Sequence, residues 1–248
     1  KIDTQNGCFV QYLLEDEDVF IADARNQYAS KVFASLGVPH AEYYGALYEQ
    51  RALRFQLIQG DTLSDEFAKR INDGAYRRRV VEDFCEKIAI PFYRKIKHDQ
   101  VPEVSGMDDY PWVVHTLRQQ GAVFQHNDMN ATNMFYDEQK REIILIDYEG
   151  AGFSYAGRDV ISFCIDPQIN LSEEEISMIL DHMRHILGDD TILAAGIYEG
   201  SRKKKVLEHM ARQDEAFLRI ARQAYKNSMS LLDLLDKRHN VRNVYAPI

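Results

Sequence analysis

An apolar, aromatic stretch from Cys8 to Leu14 is followed by the acidic run Glu15-Asp16-Glu17-Asp18 and a second apolar run, Val19-Phe20-Ile21. This pattern predicts two strands joined by a turn. A helix is predicted from about Ala24 to Leu36, stopped by Gly37, because glycine readily takes the left-handed conformation that closes a helix. Tyr43 and Tyr44 are expected to pack against this first region. Phe55-Gln56-Leu57-Ile58 reads as a short strand that breaks at Gln59-Gly60-Asp61. Beyond the break the period changes. Thr62 and Asp65 have the spacing of a capping box, in which each side chain satisfies a free N–H at a helix start. Val80, Val81, Phe84, Ile88 and Ile90 recur at helical spacing over about residues 76–97. A helix from Pro111 to Gln120 ends at Gly121, and Ala122-Val123-Phe124 reads as a strand.

Met134-Phe135-Tyr136 and Ile143-Ile144-Leu145-Ile146 flank the turn Asp137-Glu138-Gln139-Lys140, which predicts a β-hairpin inside a helical region. Ser172 and Glu175 form a second capping-box pattern. It opens a helix with Ile176, Ile179, Leu180, Met183, Ile186 and Leu187 on one face. A last long helix is predicted over about residues 211–235. Strands and helices do not alternate, which argues against a doubly wound nucleotide-binding sheet. The fold class is therefore α+β, with a small strand-rich piece, a connector near residues 58–61 and a larger helical piece carrying one hairpin.

Composition narrows the function classes. The chain is 45% hydrophobic and 28% charged, and its formal charge is −9. A non-specific nucleic-acid binder is normally basic, so no nucleic-acid partner is expected. No apolar run approaches the roughly 20 residues of a membrane span. Cys8, Cys85 and Cys164 are odd in number and widely spaced. They read as free thiols in a reducing, cytoplasmic compartment. The basic run Arg202-Lys203-Lys204-Lys205 reads as a solvated helix surface. His182 and His185 lack a third ligand in reach and are not read as a zinc site.

The densest chemistry lies in His126-Asn127-Asp128-Met129-Asn130-Ala131-Thr132-Asn133 and in Leu145-Ile146-Asp147-Tyr148-Glu149. A strand precedes the first run, and the predicted hairpin separates it from the second. Folding the hairpin brings Asp128, Asn133 and Asp147 together. Phosphoryl transfer uses such a set: one carboxylate orients a hydroxyl and takes its proton, and hard oxygen ligands hold Mg²⁺ against the phosphates of ATP. His126, Asp128 and Asn133 match H-x-D-x-x-x-x-N, the spacing of a kinase catalytic loop, with Asp147 as the metal-binding acid beyond the hairpin. A merely solvated polar hairpin fits poorly, because Ile143 to Ile146 is too apolar. Glu149 lies two residues past Asp147. It could share metal ions with Asp147 or meet a cationic substrate.

The run HNDMNATNMFYDEQKREIILIDYEGAGFSYAGRDV, residues 126–160, resembles the choline/ethanolamine kinases, within the kinase-like small-molecule phosphotransferases that include the aminoglycoside phosphotransferases. Phe33 to Val38 resembles the end of that family's first-lobe helix, and Gln56 to Leu63 its lobe connector. The resemblance implies a bilobal protein-kinase-like fold, with an ATP-binding N-lobe at 1–58 and a catalytic and substrate C-lobe at 59–248. It implies Asp128 as catalytic base and Asn133 and Asp147 as Mg²⁺ ligands. Backbone groups of Gln56, Leu57 and Ile58 would pair with the adenine. Glu149, Tyr155 and Tyr225 would lie at the substrate, with His126 and Asp159 as structural supports. ATP and Mg²⁺ are the implied cofactors, and the implied partner is a small alcohol such as the cationic amino alcohols choline or ethanolamine. A homodimer is compatible with this reading.

The chain departs from the family in two places. Of the glycine-rich phosphate loop only Thr4-Gln5-Asn6-Gly7 remains as a remnant. The strand positions where a cation would grip ATP read Gln11, Ile21 and Ala22, and the helix acid that would orient that cation falls at Asn26 or its neighbour. A complete first lobe needs a longer strand region, so residues upstream of Lys1 or within this lobe are expected to be missing. In the stretch Ile220 to Met229 the family's Trp cage for a quaternary ammonium is replaced by Tyr225 and Lys226. Two rival readings follow: a phosphotransferase for an aminoglycoside, sugar or other metabolite, and a catalytically weak kinase-like binding protein.

Overall fold

The computed structural model describes residues 2–3, 7–95, 104, 107, 110–210 and 215–239. In chain order the strands are β1 (Ile2–Asp3), β2 (Cys8–Tyr12), β3 (Tyr43–Leu47), β4 (Ala52–Gln56), β5 (Ala122–Gln125), β6 (Met134–Asp137), β7 (Glu142–Leu145) and β8 (Gly152–Tyr155). The helices are α1 (Val19–Leu36), α2 (Leu63–Lys69), α3 (Gly74–Phe84), α4 (Ile90–Lys95), α5 (Pro111–Gln120), α6 (Arg158–Cys164), α7 (Glu173–Leu187), α8 (Asp189–Met210) and α9 (Glu215–His239). The backbone divides into two compact units. One comprises residues 1–95 with 126–152, and the other residues 96–125 with 153–248. No helix among the described residues is long and apolar enough to cross a membrane.

The first unit carries an antiparallel sheet of order β1-β2-β4-β3. Cys8 pairs with Gln56 and Tyr12 with Ala52, while Leu47 pairs with Ala52 on the other side of β4. The strand predicted at Val19-Phe20-Ile21 is instead the first turn of α1. Asp18 caps this helix, its carboxylate accepting from the N–H of Phe20 at 2.8 Å and of Ile21 at 3.3 Å. Phe20 and Ile21 are solvent-exposed, so their apolar character marks no buried strand. The stop at Gly37 is as expected, with φ of 71° and its N–H returned to Ala34. The Thr62–Asp65 and Ser172–Glu175 capping boxes both form.

The helix predicted over residues 76–97 is divided. A π-turn at Cys85–Ala89 separates α3 from α4. Pro91 lies two residues past its end. Proline offers no N–H and crowds the carbonyl four residues earlier, and a wider turn relieves both problems. Residues 96–97 lie outside the described residues, as do Thr4, Gln5 and Asn6 of the loop remnant and residues 211–214 of the last helix.

An aromatic cluster joins the elements of this unit. Phe33 of α1 meets Phe92 of α4 at 5.6 Å, Tyr148 at 5.4 Å and His40 at 5.6 Å between ring centroids, and Phe55 of β4 meets Tyr148 at 5.7 Å. Phe33 and Tyr148 are completely buried. The β6–β7 hairpin pairs Met134 with Leu145 and Asp137 with Glu142. Asp83, on the buried face of α3, anchors it. That carboxylate accepts from Arg141 at 2.8 and 3.1 Å and from the Tyr136 hydroxyl at 2.7 Å.

The second unit is helical around the short β5–β8 pair. Its core includes Phe163, Ile179, Met183, Ala194, Ala195 and Leu231. Gly196 and Gly200 let α9 lie close to α8: a Cβ on Gly196 would come within 3.1 Å of Leu235, and one on Gly200 within 3.4 Å of Leu232. A buried charge network holds this packing. Glu199 accepts from the hydroxyl of Tyr155 and from Arg202 at 2.7 Å, with Arg158 at 3.9 Å. Arg202, read from the sequence as part of a solvated basic run, thus turns one guanidinium to a buried acid.

Candidate functional site

The first unit holds the catalytic-loop motif rigidly. His126 is fully buried. Its Nε2–H donates to the carbonyl of Ile146 at 2.8 Å, and its ring lies parallel to Phe33 at 6.3 Å. This ties the start of the loop to the strand end that carries Asp147. Asn127 takes a left-handed φ of 67°, and its amide donates to the carbonyls of Gly150 at 3.1 Å and Gly152 at 3.2 Å.

Asp128 is exposed at its tip and directed by amides. Asn133 Nδ2 donates to Oδ2 at 2.8 Å, and Asn130 Nδ2 donates to Oδ1. Both partners are neutral, so the carboxylate is oriented without being neutralised and keeps lone pairs for an incoming hydroxyl. The Asn133 amide nitrogen is spent on Asp128, which leaves its Oδ1 as a hard oxygen donor. The Asn133 carbonyl accepts from Ile146 N–H at 3.0 Å, fixing its position beside Asp147.

Asp147 also takes a left-handed φ, 53°, a strained conformation for a non-glycine residue. Desolvation pushes its carboxyl above the usual range. The charge of His126 opposes that shift, and the charge of Asp128 adds to it. Its carboxylate has no hydrogen-bond or ion-pair partner among the described residues. Glu149 is likewise raised, by desolvation first, then by Asp147 and Glu17, while Gln11 and Arg25 act against the shift. Gln11 Nε2 donates to Glu149 Oε2 at 3.1 Å. Between these two acids Tyr148 is buried, its hydroxyl donating to Ala41 O at 2.8 Å.

The oxygen set suits a hard divalent cation. Asn133 Oδ1 and the strained, uncompensated carboxylate of Asp147 supply protein oxygens, and Mg²⁺ usually takes few protein ligands and completes its shell with phosphate oxygens and water. No group of three or more His, Cys, Asp or Glu side chains that could hold a metal occurs among the described residues.

A cavity of about 430 Å³ opens beside Asp147. It is lined by Phe9, Gln11, Phe55, Leu57, Ile58 and Phe135, with Ile146 and Asp147 at one side. A second cavity, of about 700 Å³, shares Gln56, Leu57, Ile58 and Phe135 with it. The N–H of Gln56 is used by Glu42 O at 2.8 Å, and that of Leu57 by Gly7 O at 3.1 Å. Of the three connector residues, Ile58 alone has an N–H with no backbone partner among the described residues.

The other expected site residues lie in the second unit. Tyr155 is buried, its hydroxyl held by Glu199 and its ring edge-on to Tyr198 at 4.9 Å. Tyr225 is half-buried on α9, and its carbonyl accepts from Ser228. Asp159 is buried in the first turn of α6. Its N–H donates to Gln125 Oε1 at 3.2 Å, and Gln125 Nε2 donates in turn to Tyr155 O at 2.8 Å. The structure thus brings Asp128, Asn133, Asp147, Glu149 and His126 together in the first unit, while Tyr155, Asp159 and Tyr225 belong to the second. Sequence reasoning missed Asn130, which steers Asp128, and Phe9, which lines the nucleotide-sized cavity. The Phe9-x-Gln11 spacing in β2 signals Phe9, since residues two apart share a face of a strand.

Comparison with known proteins gives a partial family match and a likeness of fold. The sequence model of the choline/ethanolamine kinase family matches residues 95–185, which include Asp128, Asn133, Asp147, Glu149, Tyr155 and Asp159. No curated protein sequence matches the chain. Among solved structures, the chain resembles the Plasmodium vivax ethanolamine kinase with a TM-score of 0.52 at 12% identity, covering 92% of this chain and 77% of that one. It resembles the ADP-bound aminoglycoside phosphotransferase APH(2'')-Ib with a TM-score of 0.54 at 12% identity, covering 92% of this chain and 93% of that one. At such identities the likeness is one of fold. The chain therefore has the kinase-like fold of small-molecule phosphotransferases, and its catalytic-loop region resembles the choline/ethanolamine kinases.

Proposed function

We propose that the protein transfers the γ-phosphoryl group of ATP, with Mg²⁺, to the hydroxyl of a small hydroxylated amine. The single observation that carries this reading is the Asp128 carboxylate, aimed by the Asn130 and Asn133 amides on a loop that the Ile146 N–H to Asn133 O bond ties to the stretch carrying the uncompensated carboxylate of Asp147. In this mechanism Asp128 orients the acceptor hydroxyl and takes its proton as the new P–O bond forms. Asn133 and Asp147 would hold Mg²⁺, which neutralises charge on the phosphates. Ile58 N–H and the apolar cavity walls receive the base, with 1–58 as the nucleotide lobe and 59–248 as the catalytic lobe.

Choline and ethanolamine are the first acceptors of this proposal, with ethanolamine favoured because α9 offers Tyr225 and no Trp for a quaternary ammonium cage. The kinase-like fold shared with an aminoglycoside phosphotransferase supports amino sugars as the second class. A cytoplasmic location is part of the same proposal, in keeping with three buried thiols that form no disulfide. Two assays test it. ATP with Mg²⁺ is expected to raise the melting temperature, as a ligand that binds only the folded state does. ADP release, followed with choline, ethanolamine and amino sugars, then identifies the acceptor. Failure of ATP with Mg²⁺ to stabilise the protein, together with no turnover on any acceptor, returns the chain to the binding-protein reading.

A further inference from the structure

Large apolar side chains are exposed together at one corner of the first unit. The loop from β2 to α1 presents Leu14, 73% exposed. The first turn of α1 presents Phe20, 67% exposed, and the Tyr48–Gln50 turn between β3 and β4 presents Tyr48, 45% exposed. Single exposed apolar residues are ordinary, whereas contiguous ones mark interaction sites. The rings of Phe20 and Tyr48 stack with their centroids 4.8 Å apart. Arg51 joins Leu14 to this pair. Its N–H donates to the carbonyl of Tyr48 at 3.1 Å, and its Nη2 donates to the carbonyls of Leu14 and Glu15 at 2.9 Å and of Glu17 at 2.7 Å. Leu13 N–H donates back to the Arg51 carbonyl at 2.9 Å. One residue thus clamps the loop against the turn.

Packing does not call for the aromatic pair, because Val19 and Ala22 are the buried residues of that helix turn. The pair is nevertheless held firmly. The Tyr48 hydroxyl donates to Asp23, which also accepts from the Tyr43 hydroxyl at 2.6 Å. A phenol that donates to a carboxylate has an electron-rich ring face, the surface that attracts a cation. A face fixed in advance in this way also spares a partner much of the ordering cost of binding.

The charge around the pair has one sign. Glu15 and Asp16 of the loop and Glu49 of the turn are exposed and form no ion pair among the described residues. Asp18 spends its carboxylate on the N–H groups that open α1. The guanidinium of Arg51 is consumed by three carbonyls, and Arg25, farther along α1, exerts its charge at Glu149. A fixed aromatic face with unpaired acids beside it complements a guanidinium flanked by apolar groups. It does not complement a second copy of itself, since two such corners would set acid against acid in a chain of formal charge −9. An anionic membrane surface is repelled for the same reason.

We propose that this corner docks a partner protein through a short segment in which an arginine is flanked by apolar residues, the guanidinium over the Phe20–Tyr48 stack with Glu49 as its counter-charge and the flanking side chains against Leu14. The inference does not depend on phosphoryl transfer. The full chain is presented with two pools of labelled nonapeptides, one with apolar residues varied around a central arginine and one with the same residues around a central glutamate. The arginine pool is expected to be retained and the glutamate pool to wash through. Phe20→Ala and Glu49→Lys are each expected to weaken a selected arginine peptide about fivefold in fluorescence anisotropy, the scale of an exposed cation–π contact or ion pair. Glu208→Lys makes the same charge change on α8 and should leave that affinity unaltered, which separates docking from general attraction to an acidic chain. All three side chains are exposed, so the variants should melt within about 2 °C of the parent. Equal retention of the two pools overturns the assignment. So does an arginine-peptide affinity that neither Phe20→Ala nor Glu49→Lys changes, or that Glu208→Lys lowers as much. A dimer in sedimentation velocity that Phe20→Ala dissolves overturns it in favour of a second copy.

Discussion

Two carboxylates, one in each unit, have opposite surroundings. Asp128 in the first unit stands at the surface, steered by two neutral amides. Glu199 in the second is buried and consumed by Tyr155 and two arginines. Amides orient a carboxylate and leave its charge intact. Arginines and a phenol satisfy it, and a satisfied carboxylate has little left for a substrate. A buried, fully partnered acid therefore reads as architecture, and an exposed, oriented one as chemistry. Asp83, buried and bridged to Arg141 and Tyr136, falls on the architectural side although it lies in the same unit as Asp128.

Substitutions sharpen that contrast. The largest effect is expected for Asp128→Ala: phosphoryl transfer falls about 10²–10⁴-fold, as for loss of a general base, while the melting curve is unchanged. Glu199→Ala is expected to do the reverse. It removes the buried carboxylate that holds Arg202 and the Tyr155 hydroxyl and costs about 3 kcal/mol, read as a lower urea midpoint with kcat per folded molecule retained. Asp83→Ala is expected to cost about 1–2 kcal/mol, less because half of the Arg141 side chain reaches solvent. Equal losses of activity and stability in all three variants would erase the distinction.

Smaller effects probe the nucleotide cavity and the thiols. Gln11→Lys sets a cation against Glu149 and beside Asp147. It is expected to tighten ATP about threefold in calorimetry, the scale of a single partly exposed charge interaction. Burial pushes the Cys85 thiol up to about 12. At pH 8 only about one thiol in 10⁴ is then the reactive thiolate. Iodoacetamide should leave native Cys85 unmodified and label it fully in denaturant. The sign is that of a raised acid: burial of this thiol adds stability below its ordinary value near 9, and the gain is lost as pH rises toward 12.

Much of the first unit was legible because its signals are local. The β6–β7 hairpin, the Thr62 and Ser172 capping boxes and the Gly37 stop each depend on residues a few positions apart. The Asp128–Asn133 contact was legible for the same reason, since the two residues lie five positions apart. Val19-Phe20-Ile21 misled because three apolar residues in a row carry no period, and the Asp18 cap decided for helix. β3 was hidden by its bulge between Tyr43 and Gly45, which interrupts alternation. β8 exists only through pairing with β5 some 30 residues away, and no short window contains both. The Glu199 network was illegible for a similar reason: Tyr155 lies 44 residues from its acid.

The most direct test of phosphoryl transfer is ³¹P NMR of ATP and Mg²⁺ with an ethanolamine, choline or amino-sugar acceptor. With the parent protein a phosphomonoester signal should grow in step with ADP, and with Asp128→Ala no such signal should appear. A parent protein that forms no phosphomonoester with any of these acceptors, or an Asp128→Ala variant that forms it at the parent rate, would contradict the account.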